Sequence, residues 1–359
     1  MKICVFGTRG FPLIQGGVEK HCEHLYPRIA QHCDTEVIVY RRKPYVVNSK
    51  DKSYPGICFI DLPSTKIKGF EALFHSLLSS LNALKQHTDI VHIHNIGPAL
   101  FTPLLRLFGK KIVLTYHSAN YEHKKWNAIE QAFLRISEKL ALKYAHAVIF
   151  VNHFQMNKFN DQILQKSCYI PNGIEKPVFS HSSEYMEKWG IKNTKYILAV
   201  GRITPEKGFD ILIKAFSSID TEFKLVIAGG TEAETEYYNE LTVMAANKDI
   251  IFTGVIHGEE LYQLYTNAQL FVIPSISEGF PIVLLEAMSY NLPVIASNIP
   301  ATHLVDLPHQ CYFPTGNHEA LAKKINDFIN TPQPKPSYDL SPYDWGNIAQ
   351  QTMEVFKSV

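Results

Sequence analysis

Two glutamates eight residues apart stand in the segment Phe271-Val-Ile-Pro-Ser-Ile-Ser-Glu278-Gly-Phe-Pro-Ile-Val-Leu-Leu-Glu286-Ala-Met. A strand-like run closes near Ile273, a polar loop follows, and the pattern predicts a helix from about Ile282. Backbone N–H groups at such a helix start attract an anion. Gly279 admits close approach of a ligand to the backbone. Glu278 is placed to accept hydrogen bonds from hydroxyl groups, and Glu286 lies about two turns further on, along the helix. Carboxylates flanking a phosphate-binding helix start suit a sugar on one side and a ribose on the other. The plainer reading makes Glu286 a solvated helix residue and Glu278 a cap; the whole string from Ser277 to Met288 favours the chemical one.

A second group is Gly201-Arg202-Ile-Thr-Pro-Glu-Lys207-Gly208, directly after the apolar run 196–200. Arg offers a planar fork and Lys a point charge. At a strand's carboxyl end, opposite a helix start, Arg202 and Lys207 would clamp a diphosphate; the bland alternative is two exposed loop cations. The opening Val5-Phe-Gly7-Thr-Arg-Gly10-Phe-Pro-Leu-Ile-Gln-Gly16-Gly17-Val-Glu19 is Gly-rich but is not the GxGxxG fingerprint, which weighs against a nicotinamide dinucleotide. Gly16 and Gly17 precede a helix and leave room for phosphate oxygens. Glu19 either favours the helix dipole or contacts an acceptor.

His94 and His117 end two neighbouring strand candidates and are expected to face the ligand, with His92 assigned to the opposite face as structural. Two histidines suggest a metal, but no Asp or Glu with ligand spacing accompanies them, and no Asp-x-Asp triplet occurs. No metal or other cofactor is expected. The charge of a departing diphosphate would be met by Arg202, Lys207 and a helix dipole. The polar and aromatic loop Asn120-Tyr121-Glu-His-Lys-Lys-Trp126 either binds an acceptor or caps the next helix.

These residues need a scaffold that puts strand ends side by side. Short Val- and Ile-rich runs at 2–6, 36–40, 57–60, 90–93, 112–115, 147–151 and 168–170 alternate with helical patterns. A second series follows at 196–200, 223–228, 250–252, 270–273, 293–296 and 310–312. Runs without polar alternation read as parallel strands buried on both faces. The expected fold class is α/β, with two Rossmann-like, doubly wound parallel sheets facing a cleft. Ligands of such sheets bind beyond the carboxyl ends of the strands. The predicted domains are 1–175, 176–340 and a last amphipathic helix in 341–359, with Trp345, Ile348, Thr352, Val355 and Phe356 near one face.

The chain has 359 residues, 46% hydrophobic and 19% charged, with a formal net charge of +1. That balance speaks against a nucleic-acid binder. A basic cluster in the first fifth (Arg41, Arg42, Lys43, Lys50, Lys52, Lys66, Lys68) reads as a solvated loop, or as a patch toward anionic lipid or a phosphorylated acceptor. The segment 70–81 is amphipathic at helical spacing and reads as core-facing in preference to membrane-binding. Six cysteines are scattered without CxxC spacing, which suits a reducing compartment. The opening lacks the features of a signal peptide, and no apolar stretch is long enough to span a bilayer. A cytoplasmic protein is expected, with peripheral contact to the inner membrane face as its furthest reach.

The residues above resemble those of retaining glycosyltransferases of family four, which have the two-domain GT-B fold. The resemblance covers nearly the whole chain. It rests on Gly16-Gly17-Val-Glu19, His117, Ile170-Pro-Asn172-Gly173, Gly201-Arg202 with Lys207-Gly208, and above all Glu278 with Glu286. The start of the chain is similar to that of a bacterial subgroup of surface-polysaccharide assembly, some of whose members are rhamnosyltransferases. Where that subgroup commonly reads Gly-Leu-Asp-Trp after the histidine, this chain reads Ser118-Ala119-Asn120-Tyr121. The resemblance implies that Arg202 and Lys207 bind the diphosphate of a UDP-, GDP- or dTDP-sugar donor, with Gly17 facing it. Glu278 would hold donor-sugar hydroxyls, the backbone of Gly279, Phe280, Pro281, Ile282 and Val283 would meet sugar and phosphate, and Glu286 would hold the ribose. Gly254 and Val255 would lie near the base, Asn172 near the donor, and His117 beside donor sugar and acceptor. It implies a saccharide or lipid-linked acceptor and a closing helix that crosses back to the first domain. Two rival functions share the pattern: a nucleotide-sugar 2-epimerase, and a non-catalytic nucleotide-sugar-binding protein.

Overall fold

The computed structural model describes residues 1–14, 16–32, 34–46, 54–65, 67, 70–119, 121, 127–231, 235–246, 248–331 and 334–359. They divide into two compact units, Met1–Gly173 with Ser341–Val359, and Ile174–Leu340.

The strands of the first unit are β1 (Lys2–Phe6), β2 (Glu36–Arg42), β3 (Ile57–Leu62), β4 (Ile90–His94), β5 (Lys111–Tyr116), β6 (Ala147–Phe150) and β7 (Ser167–Tyr169). All pairings are parallel, in the order β3-β2-β1-β4-β5-β6-β7. The apolar runs lack alternation because both faces of the sheet are covered. On one face Ile3, Val5, Val37, Val39 and Val113 pack with Cys22, Leu25, Tyr26 and Ile29 of the helix Gly17–Ala30. On the other, Cys4, Phe6, Ile38, Val91 and Leu114 pack with Ala83, Leu105, Ala141 and Leu142. The chain leaves β1 on one side to form β2 and β3, and on the other to form β4 onward. The loops after β1 and β4 therefore diverge, and that switch point is where such sheets hold ligands.

The helix Trp345–Ser358 completes this unit. Asp344 caps it by accepting from the Asn347 N–H at 3.0 Å. Its face of Trp345, Ile348, Ala349, Met353 and Phe356 joins the core that contains the Gly17–Ala30 helix. Gly173 is pressed against it: a Cβ there would lie 2.4 Å from Cδ2 of the buried Trp345 ring. We expect Gly173→Ala to destabilise the first unit by about 1–3 kcal/mol through overpacking, read as a lowered urea midpoint.

Two readings of the basic and amphipathic segments change. Arg41 and Arg42 are not in a solvated loop but on β2, where Arg41 pairs with Asp61 (2.7 Å) and lies over Phe59, and Arg42 is buried against Glu71. Lys50, Lys52, Lys66 and Lys68 lie outside the described residues. The helix Phe70–Lys85 does face the core, but by His75, Ser76, Ser79, Ser80 and Ala83, while Phe70 and Leu81 are exposed. Ser76 and Ser79 make this possible by donating back to the carbonyls of Ala72 and His75. Among the described residues no helix is long and apolar enough to cross a membrane.

The second unit contains β8 (Tyr196–Val200), β9 (Lys224–Ala228), β10 (Ile250–Gly254), β11 (Leu270–Ile273), β12 (Val294–Ser297) and β13 (Tyr312–Phe313). They form a parallel sheet in the order β10-β9-β8-β11-β12-β13. Ile197, Ala199, Leu225, Ile227 and Val272 pack against Phe209, Leu212, Ile213 and Phe216 of the helix Phe209–Ser217, and against Leu321 and Ile325. The order reverses between β8 and β11, as it does between β1 and β4. The fold is α/β, two Rossmann-like parallel-sheet domains.

Candidate functional site

In the second unit the suspected residues gather at the switch point. β8 runs into Gly201 and a short turn, Pro205–Lys207, and Gly208 then starts the next helix with φ +67°. A Cβ on Gly208 would stand 2.3 Å from the Pro274 carbonyl oxygen, so the backbone conformation and the close approach both demand glycine. The neighbouring strand β11 ends at Ile273, and its loop is tied to the first by Ile276 N–H donating to Glu206 O at 2.8 Å. That tie brings the Lys207 ammonium 2.6 Å from the Glu278 carboxylate, whose same oxygen accepts from the Ser275 hydroxyl at 2.7 Å. Both side chains are mostly shielded, 17% and 9% exposed, so the charges interact under weak screening.

The helix Ile282–Ser289 begins just beyond, with Pro281 as its cap and no side-chain cap bond. Its start is less open than expected, because Ile282 N–H donates to Phe280 O and Leu284 N–H to Pro281 O, each at 3.0 Å. Phe280, Pro281 and Ile282 are buried, so a ligand would meet Gly279 and Val283 and the backbone between them. Glu286 is not a solvated helix residue: it is buried, and it accepts from the Tyr265 hydroxyl at 2.9 Å. Tyr265 is fixed in turn by stacking on Tyr290. Further along the same edge, Gly229 N–H donates to Gly254 O and Ile203 N–H to Gly230 O, both at 2.9 Å. Gly230 lies against Val255. One backbone-linked rim thus carries Arg202, Lys207, Gly254, Val255 and Glu278.

In the first unit the carboxyl ends of β4 and β5 carry a cluster of rings. His94 Nδ1 and His117 Nε2 are 2.9 Å apart. Tyr26 bridges His94 Nε2 and His92 Nδ1, the latter at 2.8 Å, and His92 Nε2 reaches Thr115 Oγ1 at 2.7 Å. The assignment of His92 to the opposite face was wrong. Residues two apart on a strand point the same way, and the rings of His92 and His94 lie 4.5 Å apart. A residue that the sequence reading passed over, His21, packs edge-on to His117 (5.0 Å) and Trp345 (5.5 Å). Its Nδ1 meets Asn172 Oδ1 at 2.7 Å, which places Asn172 in this cluster. His21 sits on the apolar face of its helix with Cys22, Leu25, Tyr26 and Ile29, and that placement was the signal for it. Burial drives the rings toward neutrality, lowering His21 to about 4 and His92 to about 3, and His94 and His117 well below their ordinary value.

Glu19 turns inward. It accepts from the Thr8 hydroxyl (3.1 Å) and the Arg9 N–H (3.0 Å), so it holds the loop after β1. Its carboxylate also fills the side of Gly16, where a Cβ would come within 2.0 Å of it. Gly17 is exposed at the start of its helix. Tyr121 donates to Glu138 at 3.3 Å and carries Arg135 over its ring. Asn120 and residues 122–126 lie outside the described residues.

Comparison with known proteins agrees with this architecture. A family model described as Glycosyl transferases group 1 matches residues 181–343, and one described as Glycosyltransferase Family 4 matches residues 15–176. An uncharacterised glycosyltransferase of Methanocaldococcus jannaschii is 31% identical over 52% of this chain and 53% of its own, so the chain spans about half of that relative. The O-antigen chain mannosyltransferase C of Escherichia coli is 26% identical over 73% of this chain and 71% of its own. The solved structure of Anabaena HepE in complex with UDP-glucose has a TM-score of 0.80 at 18% identity, covering 100% of this chain and 99% of its own. At that identity the likeness speaks for the fold. With one family model on each of its two units, the chain belongs to the glycosyltransferases of group 1 and family 4, built on the GT-B fold.

Proposed function

We propose that the chain moves a sugar from a nucleoside-diphosphate sugar to a saccharide or lipid-linked acceptor in bacterial polysaccharide assembly, retaining the anomeric configuration. The observation that carries this reading is the Lys207–Glu278 pair at the switch point between β8 and β11. When a donor enters, Lys207 turns from the carboxylate to the diphosphate, and Glu278 is released to the sugar hydroxyls. Arg202 supplies the second cation, Glu286 the ribose contact, and Gly254 with Val255 the edge near the base. The UDP-glucose bound to HepE supports a nucleotide-sugar donor, and the O-antigen relative supports a glycan acceptor.

The anomeric carbon's bond to the diphosphate oxygen breaks, and a bond to the acceptor hydroxyl oxygen forms on the same face. The acceptor's proton passes to the departing diphosphate, whose charge is stabilised by Arg202, Lys207 and the start of the Ile282–Ser289 helix. No side chain is assigned as nucleophile and no metal is assigned to the diphosphate. In the first unit His117 is assigned to the reacting sugar, Gly16, Gly17 and Asn172 to the donor side, and Glu19 and His94 to the acceptor side together with Asn120 and Tyr121.

The test is a thermal-shift screen over UDP-, GDP- and dTDP-sugars, followed by product analysis with and without acceptor. A donor at a hundred times its Kd stabilises by about 2.7 kcal/mol, and one nucleotide series is expected to raise Tm by a few degrees. Epimerised donor in the absence of any transfer would instead establish the 2-epimerase. No shift with any nucleotide sugar would remove both readings.

A further inference from the structure

We propose that His21, His94 and His117 form a binding site for one divalent transition-metal ion of the zinc type, held by three neutral imidazoles. One ring nitrogen from each residue lies within 4.8 Å of the others. The ring centroids are 5.0, 5.2 and 5.5 Å apart. All three belong to the first unit, on its first helix, at the end of β4 and just after β5. His94 and His117 also carry roles in the sugar-transfer reading, but ion binding is measured without donor or acceptor, so the two readings fail separately.

The surrounding hydrogen bonds leave the right lone pairs. His21 Nδ1–H donates to Asn172 Oδ1, which leaves Nε2 as an acceptor; that atom is buried and has no hydrogen-bond partner. A buried polar atom left in this way costs about 1–3 kcal/mol unless something occupies the space beside it. On the other side the contacts admit two proton arrangements, and the one that suits an ion runs from His94 Nε2–H to the Tyr26 oxygen, from the Tyr26 hydroxyl to His92 Nδ1, and from His92 Nε2–H to Thr115 Oγ1. In that arrangement every proton has a place, and His94 Nδ1 is a lone pair that accepts from His117 Nε2–H at 2.9 Å until an ion takes it. His117 need only move its proton to Nδ1 to present a third. Two of the three rings are thus held through their distal nitrogen by an oxygen or amide, the arrangement that orients metal-binding histidines.

Two nitrogens bound to a tetrahedral ion at 2.0–2.1 Å stand about 3.4 Å apart. The His94 and His117 nitrogens, 2.9 Å apart, therefore open by about half an ångström on binding, and any pair near the 4.8 Å limit closes by more than an ångström. Three imidazoles without a carboxylate select zinc, copper or nickel over magnesium or calcium. A fourth position remains for water. His21, brought in from the first helix, raises the ligand count from two to three.

The full chain, stripped with a chelator, is titrated with Zn²⁺ by calorimetry and with Co²⁺ by visible absorption. The expected result is one ion per chain with Kd below about 1 μM and the intense cobalt bands of a four- or five-coordinate, nitrogen-rich site. His21→Ala and His94→Ala are expected to weaken binding at least about 100-fold, and Asn172→Ala, which touches no ion, about 10- to 100-fold. His303→Ala, at a histidine of the other unit, should leave the affinity unchanged. Absence of a saturable ion, or a stoichiometric site indifferent to both His21→Ala and His94→Ala, would overturn the proposal. Should those variants fail to fold, a six-coordinate cobalt spectrum in the unaltered chain overturns it as well.

Discussion

Lys207→Ala is expected to lower kcat/KM for sugar transfer by about 10²–10³-fold, equivalent to about 2.7–4 kcal/mol of transition-state stabilisation. The expectation follows from the pair of which Lys207 is half. Glu278 is nearly enclosed, and its described partners are the Lys207 ammonium and the Ser275 hydroxyl. Removing the lysine takes away a cation assigned to the diphosphate and also leaves an uncompensated carboxylate beside it. Glu278→Gln makes the converse test, since it keeps the shape and the lysine but removes the acceptor charge for sugar hydroxyls. It should lower kcat while the diphosphate product, added alone, still binds. Steady-state kinetics with melting temperatures measured in parallel decide the matter: near-normal turnover in a folded Lys207→Ala protein would exclude the diphosphate role.

Stability of the first unit should fall by about 4 kcal/mol between pH 7 and pH 5.5. His21 and His75 are lowered to about 4 and His92 to about 3, in each case first by burial. An imidazole in the unfolded chain titrates near 6.5. Below that value the unfolded chain takes up protons that the folded one refuses, so the unfolded state is favoured as pH drops. The contribution is therefore fully present above pH 6.5 and is lost as pH falls toward the folded values near 4 and 3. Each ring costs about 1.4 kcal/mol per pH unit within that window. Urea unfolding followed by tryptophan emission in a chain carrying Trp126→Phe and Trp189→Phe leaves Trp345, which lies against His21 and His24, as the reporter of the first unit. Equal midpoints at the two pH values, in the presence of chelator, would show that these rings do not stay neutral.

Much of the scaffold was legible because the chain is built from buried parallel strands. Each Val- and Ile-rich run became a strand, and the restart after residue 190 became the second sheet. Short helices such as Thr102–Leu107 and Glu184–Lys188 went unassigned, since they are too brief to show a period. The rim residues Arg202, Lys207 and Glu278 were visible by type and by their place after a strand. Their mutual pairing was not, because it depends on how two loops 71 residues apart are tied together. Glu19 was legible only as a charge near a helix start; its inward turn depends on the loop after β1. His92 was misplaced by a parity error that the strand geometry itself corrects.

The helix Trp345–Ser358 has a consequence for the order of assembly. Residues 1–173 are synthesised first, yet their core lacks Trp345, Ile348, Met353 and Phe356 until the whole of Ile174–Leu340 has been made. The unit translated second is contiguous and can close on its own strands, while the unit translated first must wait with one side of its first helix uncovered. Interruption of synthesis late in the chain therefore damages the earliest part of it, and leaves the more recent part intact.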